Sequence, residues 1–206
     1  MNDDKTRIRS KEELDSRKKC FLEIVEIFEK NKIDFFIQAG TVLGARREND
    51  FIKWDWDVEF GIFEKEFISN YELIKSELLK KDFKIFHEIK SSKDGKIDVW
   101  KDFEPKTTLY EILCWHYDSK KDSFYRWNIN IPGKFFKTKN TIEFFGKELN
   151  CPGPVEEYLT YQYGNWKTPK RVSNKLDYLT KEFYNKKEKN FYIKIKEKLS
   201  DLFNKI

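Results

Sequence analysis

Residues 54–60 read WDWDVEF, with Asp55, Asp57 and Glu59 at every second position and Trp54, Trp56, Val58 and Phe60 between them. In an extended strand successive side chains point to opposite faces, so this pattern predicts a strand over about 55–62 with acids on one face and apolar groups on the other. Carboxylates packed this closely repel one another unless water, a proton or a metal ion relieves them. A half-exposed strand with a solvated acidic face is the plainest reading of this window alone. Its surroundings decide between that and a metal site.

Upstream, Ser10 and Glu13 form a capping-box pattern, and Leu14, Phe21, Ile24, Val25 and Phe28 follow at helical spacing, predicting a helix from about 11 to 30. IDFFIQAG (33–40) reads as a buried strand running into a glycine turn, and TVLGARREN (41–49) as a short helical or loop segment leading back to the acidic strand. Downstream, Phe67, Tyr71, Ile74 and Leu78 mark a second amphipathic helix. FKIFHEIK and KIDVWKDF then read as two strands joined by SSKDG, whose Asp-Gly suits a hairpin turn. Further short strands are expected over 108–150, and CPGPVEEYLTYQYGNW (151–166) reads as a proline-bounded loop followed by a short helix. Tyr192, Ile195, Leu199, Leu202 and Ile206 predict an amphipathic C-terminal helix over about 181–206. The plan is α+β, one mixed or antiparallel sheet flanked by helices, within a single domain spanning 1–206.

Composition bounds the function. Among 206 residues, 39% are apolar, 17% aromatic and 37% charged, against a usual charged share of about a quarter. A core of this kind depends on Phe, Tyr and Trp. The net charge of +5 is too mild to indicate a nucleic-acid partner, although it suits an anionic small molecule or an acidic membrane surface. Cys20, Cys114 and Cys151 are far apart and lack CxxC spacing, which predicts reduced thiols in a cytoplasmic protein rather than a disulfide framework or a zinc knuckle. The polar N-terminus is no signal peptide, and no apolar run approaches the roughly 20 residues that cross a bilayer. Membrane contact would be peripheral, through the lysine-flanked C-terminal helix at the inner face; packing of that helix on the domain or on another subunit is the favoured alternative.

Three features converge on chemistry. Gly40 and Thr41 place a permissive glycine and a hydroxyl before the acidic strand. Asp55 and Asp57 follow. Asp98 then stands between Ile97 and Val99 on a predicted strand, where aspartate is disfavoured. If its strand neighbours the acidic one, three carboxylates meet at one point; a solvated hairpin-edge residue is the alternative for Asp98 alone. Acids gathered this way suit hard cations, Mg²⁺ or Mn²⁺, and two such ions about 3.5–4 Å apart can clamp both oxygens of an in-line phosphoryl displacement. His116 and Cys114 share a strand face but have no matching pair elsewhere, so they are read as structural.

GTVLGARRENDFIKWDWDVEFGI (40–62) resembles the signature of the LicD family within the nucleotidyltransferase superfamily, typically G-T-L-L-G-A-x-R-x-x-G-F-I-P-W-D-D-D-x-D-x-G. The match runs through Gly40, Thr41, Leu43, Gly44, Ala45, Arg47, Phe51, Ile52, Trp54, Asp55, Asp57 and Gly61. IEFFGKELNCPGPVEEYLTYQYGNWKTP (142–169) is similar to the family's closing motif, so the resemblance covers roughly 14–170. Trp56 and Glu59 stand where bacterial members usually carry Asp, and Lys53 replaces a common Pro. The resemblance implies a nucleotidyltransferase-like mixed sheet. It further implies transfer of a phospho-alcohol, such as phosphocholine, from a CDP-activated donor to a hydroxyl of a carbohydrate acceptor. In that scheme Asp55, Asp57 and Asp98 hold Mg²⁺ or Mn²⁺, Asp98 also helps accept the hydroxyl proton, Gly40 and Thr41 offer donors to the donor phosphates, and Arg47 binds a phosphate. Arg47 could instead pair with Asp55 or Asp57 to hold the loop. A nucleotidyltransferase acting on RNA or protein, or an inactive scaffold subunit, are the competing functions.

Overall fold

A computed structural model describes residues 6–101, 108–127, 129–172 and 175–183. In chain order the elements are α1 (Lys11–Lys30), β1 (Phe36–Ile37), α2 (Ala39–Arg47), β2 (Asp57–Phe63), α3 (Glu64–Lys80), β3 (Lys84–Ile89), β4 (Lys96–Trp100) and β5 (Leu109–Asp118). They continue with β6 (Ser123–Arg126), β7 (Ile129–Pro132), β8 (Asn140–Phe144), β9 (Lys147–Cys151), α4 (Val155–Tyr163) and α5 (Lys175–Tyr178). The expected C-terminal helix falls, beyond residue 183, outside the described residues.

Helix α1 starts where its chemistry dictates. Ser10 Oγ accepts from the Glu13 N–H (3.3 Å) and Glu13 Oε2 accepts from the Ser10 N–H (2.8 Å), closing the capping box. Its apolar stripe, Phe21, Ile24, Val25 and Phe28, is fully buried. The second stripe, Phe67, Tyr71, Ile74 and Leu78, is the buried face of α3. Between β1 and α2 the sequence expectation needs correction. The strand is only Phe36–Ile37, and Gly40 lies in the first turn of α2 rather than in a loop, because the helix begins at Ala39 with the polar Gln38 as its N-cap.

The main sheet runs β1-β2-β5-β4-β3, with the β6–β7 hairpin extending from β5 and a separate β8–β9 ribbon. β2 and β5 are parallel and the remaining pairs antiparallel, so the sheet is mixed, as the α+β plan expects. One face carries Val58, Phe60, Ile62, Ile97, Val99, Tyr110, Ile112 and Cys114, all buried. Helix α1 packs there: Phe21 stacks on Phe60 with ring centres 5.3 Å apart, and the Tyr110 hydroxyl donates to the Arg17 carbonyl at 3.3 Å. With the apolar side chains committed to this face, the alternating residues of β2, β4 and β5 must look the other way. That second face holds the acids.

Candidate active site

Strand β2 begins at Asp57, so Asp55 is not a strand residue as the alternation suggested. It sits at the end of a turn closed by its own N–H donating to the Ile52 carbonyl (3.0 Å), and its Oδ1 accepts from the Trp56 N–H (3.1 Å). This local hydrogen bonding is a common use of aspartate and ends the extended run two residues early. The turn places Asp55 against the N-terminus of α2. A Cβ added at Gly40 would lie 2.3 Å from Asp55 Oδ2, so only glycine admits the carboxylate here. The positive end of the helix dipole adds a favourable field for the nearby acids.

Gly40 and Thr41 are both brought to the acids, but their described partner is Glu59. The Gly40 N–H donates to Glu59 Oε2 (3.1 Å), and Thr41 Oγ1 accepts from the Glu59 N–H (2.9 Å). The long side chain of Glu59 supplies the reach to α2. The neighbouring Ala39 N–H donates to the Tyr158 hydroxyl (3.1 Å), which ties α4 to the same helix end.

The buried Arg17 holds the acidic turn from behind. Its Nη2 donates to the Asp55 carbonyl (2.8 Å), its Nε donates to Thr108 Oγ1 (2.9 Å), and its guanidinium lies 5.4 Å from the centre of the Phe51 ring. The task that sequence reasoning offered to Arg47, holding the loop, thus falls to an arginine of α1. Arg47 reaches the rim of the same cavity, where its Nη1 donates to the Trp166 carbonyl (3.0 Å) and its Nε to Glu48 Oε1 (2.8 Å).

Register fixes the remaining acids. Glu59 pairs with Glu111 on β5, and Glu111 pairs in turn with Asp98 on β4. Cross-strand partners share a face, so Asp57, Glu59, Glu111 and Asp98 all lie on the second face. The strand neighbouring β2 is therefore β5, not β4, and Asp98 stands two strand spacings from β2, roughly 9.5 Å in backbone terms. Its side chain is turned to Lys96 Nζ, with His87 Nδ1 at 3.6 Å, and its buried Oδ1 has no partner among the described residues. The acid on the strand beside β2 is thus Glu111, where the sequence analysis expected Asp98 if β4 neighboured β2. The signal was present: Glu111 is also a lone carboxylate between apolar strand residues, Tyr110 and Ile112.

Asp57 carries the electrostatic cost of this arrangement. Burial, followed by the charges of Asp55, Glu59 and Glu111 and a hydrogen bond with Asp55, pushes its carboxyl well above the usual range. Tyr163, facing the same cavity, is also pushed up, chiefly by burial and then by Glu59. Among the described residues no three Asp, Glu, His or Cys side chains already stand together as a metal cluster. The donor chemistry nevertheless fits a hard divalent cation: oxygen ligands only, and a carboxylate whose charged form is disfavoured by burial and by the acids around it. Asp55, Asp57 and Glu111 are the side chains that would hold it.

Asp55, Asp57 and Glu59 line one wall of a cavity of about 180 Å³ between the second sheet face and the segment from α4 to Phe183. Trp54, Trp56, Tyr163 and Trp166 contribute aromatic surface, so Trp54 packs against the core and still borders the cavity. The sheet, the helix-end glycine and the acids define a nucleotidyltransferase-type domain. Residues 32–153 match the family described as LicD/FKTN/FKRP, nucleotidyltransferase domain, and the chain belongs to that family.

Human ribitol 5-phosphate transferase FKRP is 22% identical over 156 residues, and the mouse protein 23% over 155. Both alignments cover 68% of this chain and 30% of the relative. An uncharacterised protein of Rickettsia typhi, RT0683, is 29% identical over 143 residues, covering 68% of this chain and 43% of its own length. The chain thus spans less than half the length of these relatives. Among solved structures, ANT(2″)-Ia in complex with adenylyl-2″-tobramycin is similar with a TM-score of 0.47 and 9% identity, over 71% of this chain and 76% of that one. An antigenic nucleotidyltransferase-like protein from Paracoccidioides brasiliensis gives 0.44 and 16%, over 74% and 66%. Likenesses this distant fix neither activity nor substrate.

Proposed function

We propose that this protein is a divalent-metal-dependent transferase that moves a phospho-alcohol group from a CDP-activated donor to a carbohydrate hydroxyl. The observation that carries the reading is the placement of Asp55 and Glu59 against the N-terminus of α2, with Asp57 beside them, Glu111 as the cross-strand partner of Glu59, and the Asp57 carboxyl held far from its ordinary ionisation. Family membership and the likeness to ribitol 5-phosphate transferases support the substrate class. The assignment of cytidine, and of Mg²⁺ or Mn²⁺, belongs to this proposal.

Bound at Asp55, Asp57 and Glu111, Mg²⁺ or Mn²⁺ would supply positive charge to the pyrophosphate and to the leaving nucleotide. The protein's own groups do the rest. Arg17 fixes the Asp55 turn, and Gly40 leaves room for its carboxylate. Glu59, held by Gly40 and Thr41, sets the distance between α2 and β2. Glu111 accepts the proton of the acceptor hydroxyl as the new P–O bond forms and the bond to the nucleoside monophosphate breaks. The aromatic wall limits water, the competing acceptor. Asp98, one strand further out, supports Lys96 rather than the reacting groups. Buried free thiols at Cys20, Cys114 and Cys151 support action in the cytoplasm. No helix among the described residues is long and apolar enough to cross a membrane.

Thermal-shift measurements with Mg²⁺ and a series of nucleotides test the reading. Selective stabilisation by CDP-alcohols is expected. Preference for nucleoside triphosphates would replace it with nucleotidyl transfer, and no response to any nucleotide would leave a scaffold.

A further inference from the structure

The cavity has a second pole. Strand β6 pairs with β5 through His116 and Tyr125, so Arg126, one position on, turns to the same face as Trp115, Leu113 and Glu111. Arg126 and Trp115 both line the cavity. Arg126 Nε and Nη2 are enclosed and have no hydrogen-bond partner among the described residues, and neither has the indole Nε1 of the buried Trp115. These are three N–H donors on adjacent strands of one wall. Nε and Nη2 form the side-on fork of a guanidinium, the edge that grips two oxygens of one oxyanion. A buried donor without a partner is costly, and a charged one more so. Glu111, Asp94 and Asp98 favour the cation from a distance, yet none accepts a hydrogen bond from those two nitrogens.

We infer that Arg126 and Trp115 form a metal-independent seat for a phosphate group, at the end of the cavity opposite the Asp55–Asp57 turn. Along the ladder, Asp57 lies opposite Leu109 at one end of β5, while Arg126 follows Tyr125, the partner of His116, and so falls level with Trp115 towards the other end. The two poles therefore address different parts of a ligand. A phosphate can give each guanidinium donor and the indole an oxygen of its own, whereas a carboxylate would have to share one of its two. The exposed Trp127, its ring centre 5.9 Å from the Arg126 guanidinium and its backbone N–H donating to Asp94 Oδ1 (3.0 Å), gives the seat a flat apolar neighbour suited to a sugar or nucleoside ring. The inference rests on reading the cavity as the substrate pocket, but not on the metal.

Calorimetric titration of the full chain with inorganic phosphate in EDTA tests it. Saturable binding is expected for the wild type and for Asp57→Asn. Arg126→Gln and Arg126→Lys should each weaken it by about tenfold or more, because lysine keeps the charge but loses the fork. Trp115→Phe should weaken it by a smaller factor, keeping the ring and losing the N–H. Arg126→Gln should not lower the melting temperature of the ligand-free protein, since no hydrogen bond through the fork is lost. Competition then identifies the source: displacement by CDP assigns the seat to the donor, and displacement by a hexose phosphate assigns it to the acceptor. No saturable binding in EDTA, wild-type affinity in Arg126→Gln, or displacement by neither competitor would overturn the inference. A seat that fails while Mg²⁺-dependent CDP-alcohol stabilisation persists leaves the proposed function standing, and the reverse result separates the two again.

Discussion

At the scale of single residues, the site depends on what each position admits. Gly40 has room for no side chain beside Asp55, and the atom a Cβ would meet is the mobile end of a carboxylate. Gly40→Ala should therefore leave the fold intact while displacing Asp55. Transfer should fall by at least about tenfold, with the melting temperature within about 4 °C of wild type. Arg17 presents the opposite case, a buried guanidinium whose loss strands the Asp55 carbonyl and the Thr108 hydroxyl. Arg17→Met should lower stability by about 2–3 kcal/mol in urea unfolding, and turnover with it. Wild-type stability in that variant would show that the acidic turn holds itself.

At the scale of elements, α1 has a cap that can be tested by substitution and by pH. Ser10→Ala should cost about 1 kcal/mol in the same unfolding experiment. The Glu13 carboxyl, which also accepts from the Arg7 guanidinium at 2.8 and 2.5 Å, is held at about 2, chiefly by that contact. A depressed carboxyl stabilises the fold above its unfolded value of about 4.3, and the benefit disappears as pH falls from there towards the folded value. Stability of the wild type should therefore drop more steeply between about pH 4.5 and 2 than that of Arg7→Gln. Equal slopes would remove the contact from the account. The β-elements depend less on local chemistry: β2 and β5 become neighbours only through a long connection, and the register of β2, β5 and β4 decides which acids meet.

At the scale of the whole molecule, the sequence showed what local rules control. Helix α1 and its cap, the buried stripe of α3, the β3–β4 hairpin and the mixed α+β plan all follow from periodicity, capping and turn residues. Asp55 and Asp57 were legible as a pair because the alternating pattern and the family signature share them. Strand order was not legible, since nothing in KIDVW or LYEILCWHY states which lies beside β2. Which acid, Asp98 or Glu111, stands on the strand beside β2 was therefore hidden as well. Arg17 and Arg126 were hidden for a related reason: one is an unremarkable helix residue and the other a strand-end residue, and only packing sets the first behind the acidic turn and the second in the cavity wall. The closing segment from Pro152 to Pro169, partly beyond the matched 32–153, covers the cavity through Tyr163 and Trp166, so its aromatics serve packing and enclosure together.

Binding of Mn²⁺, followed by electron paramagnetic resonance, tests the central claim most directly because it needs no knowledge of the substrate. The wild type should take up the ion, Asp57→Asn and Glu111→Gln should each bind it at least about tenfold more weakly, and Asp98→Asn should stay within about twofold of wild type. Undiminished binding in Asp57→Asn, or loss in Asp98→Asn with Glu111→Gln unaffected, would contradict the site described here.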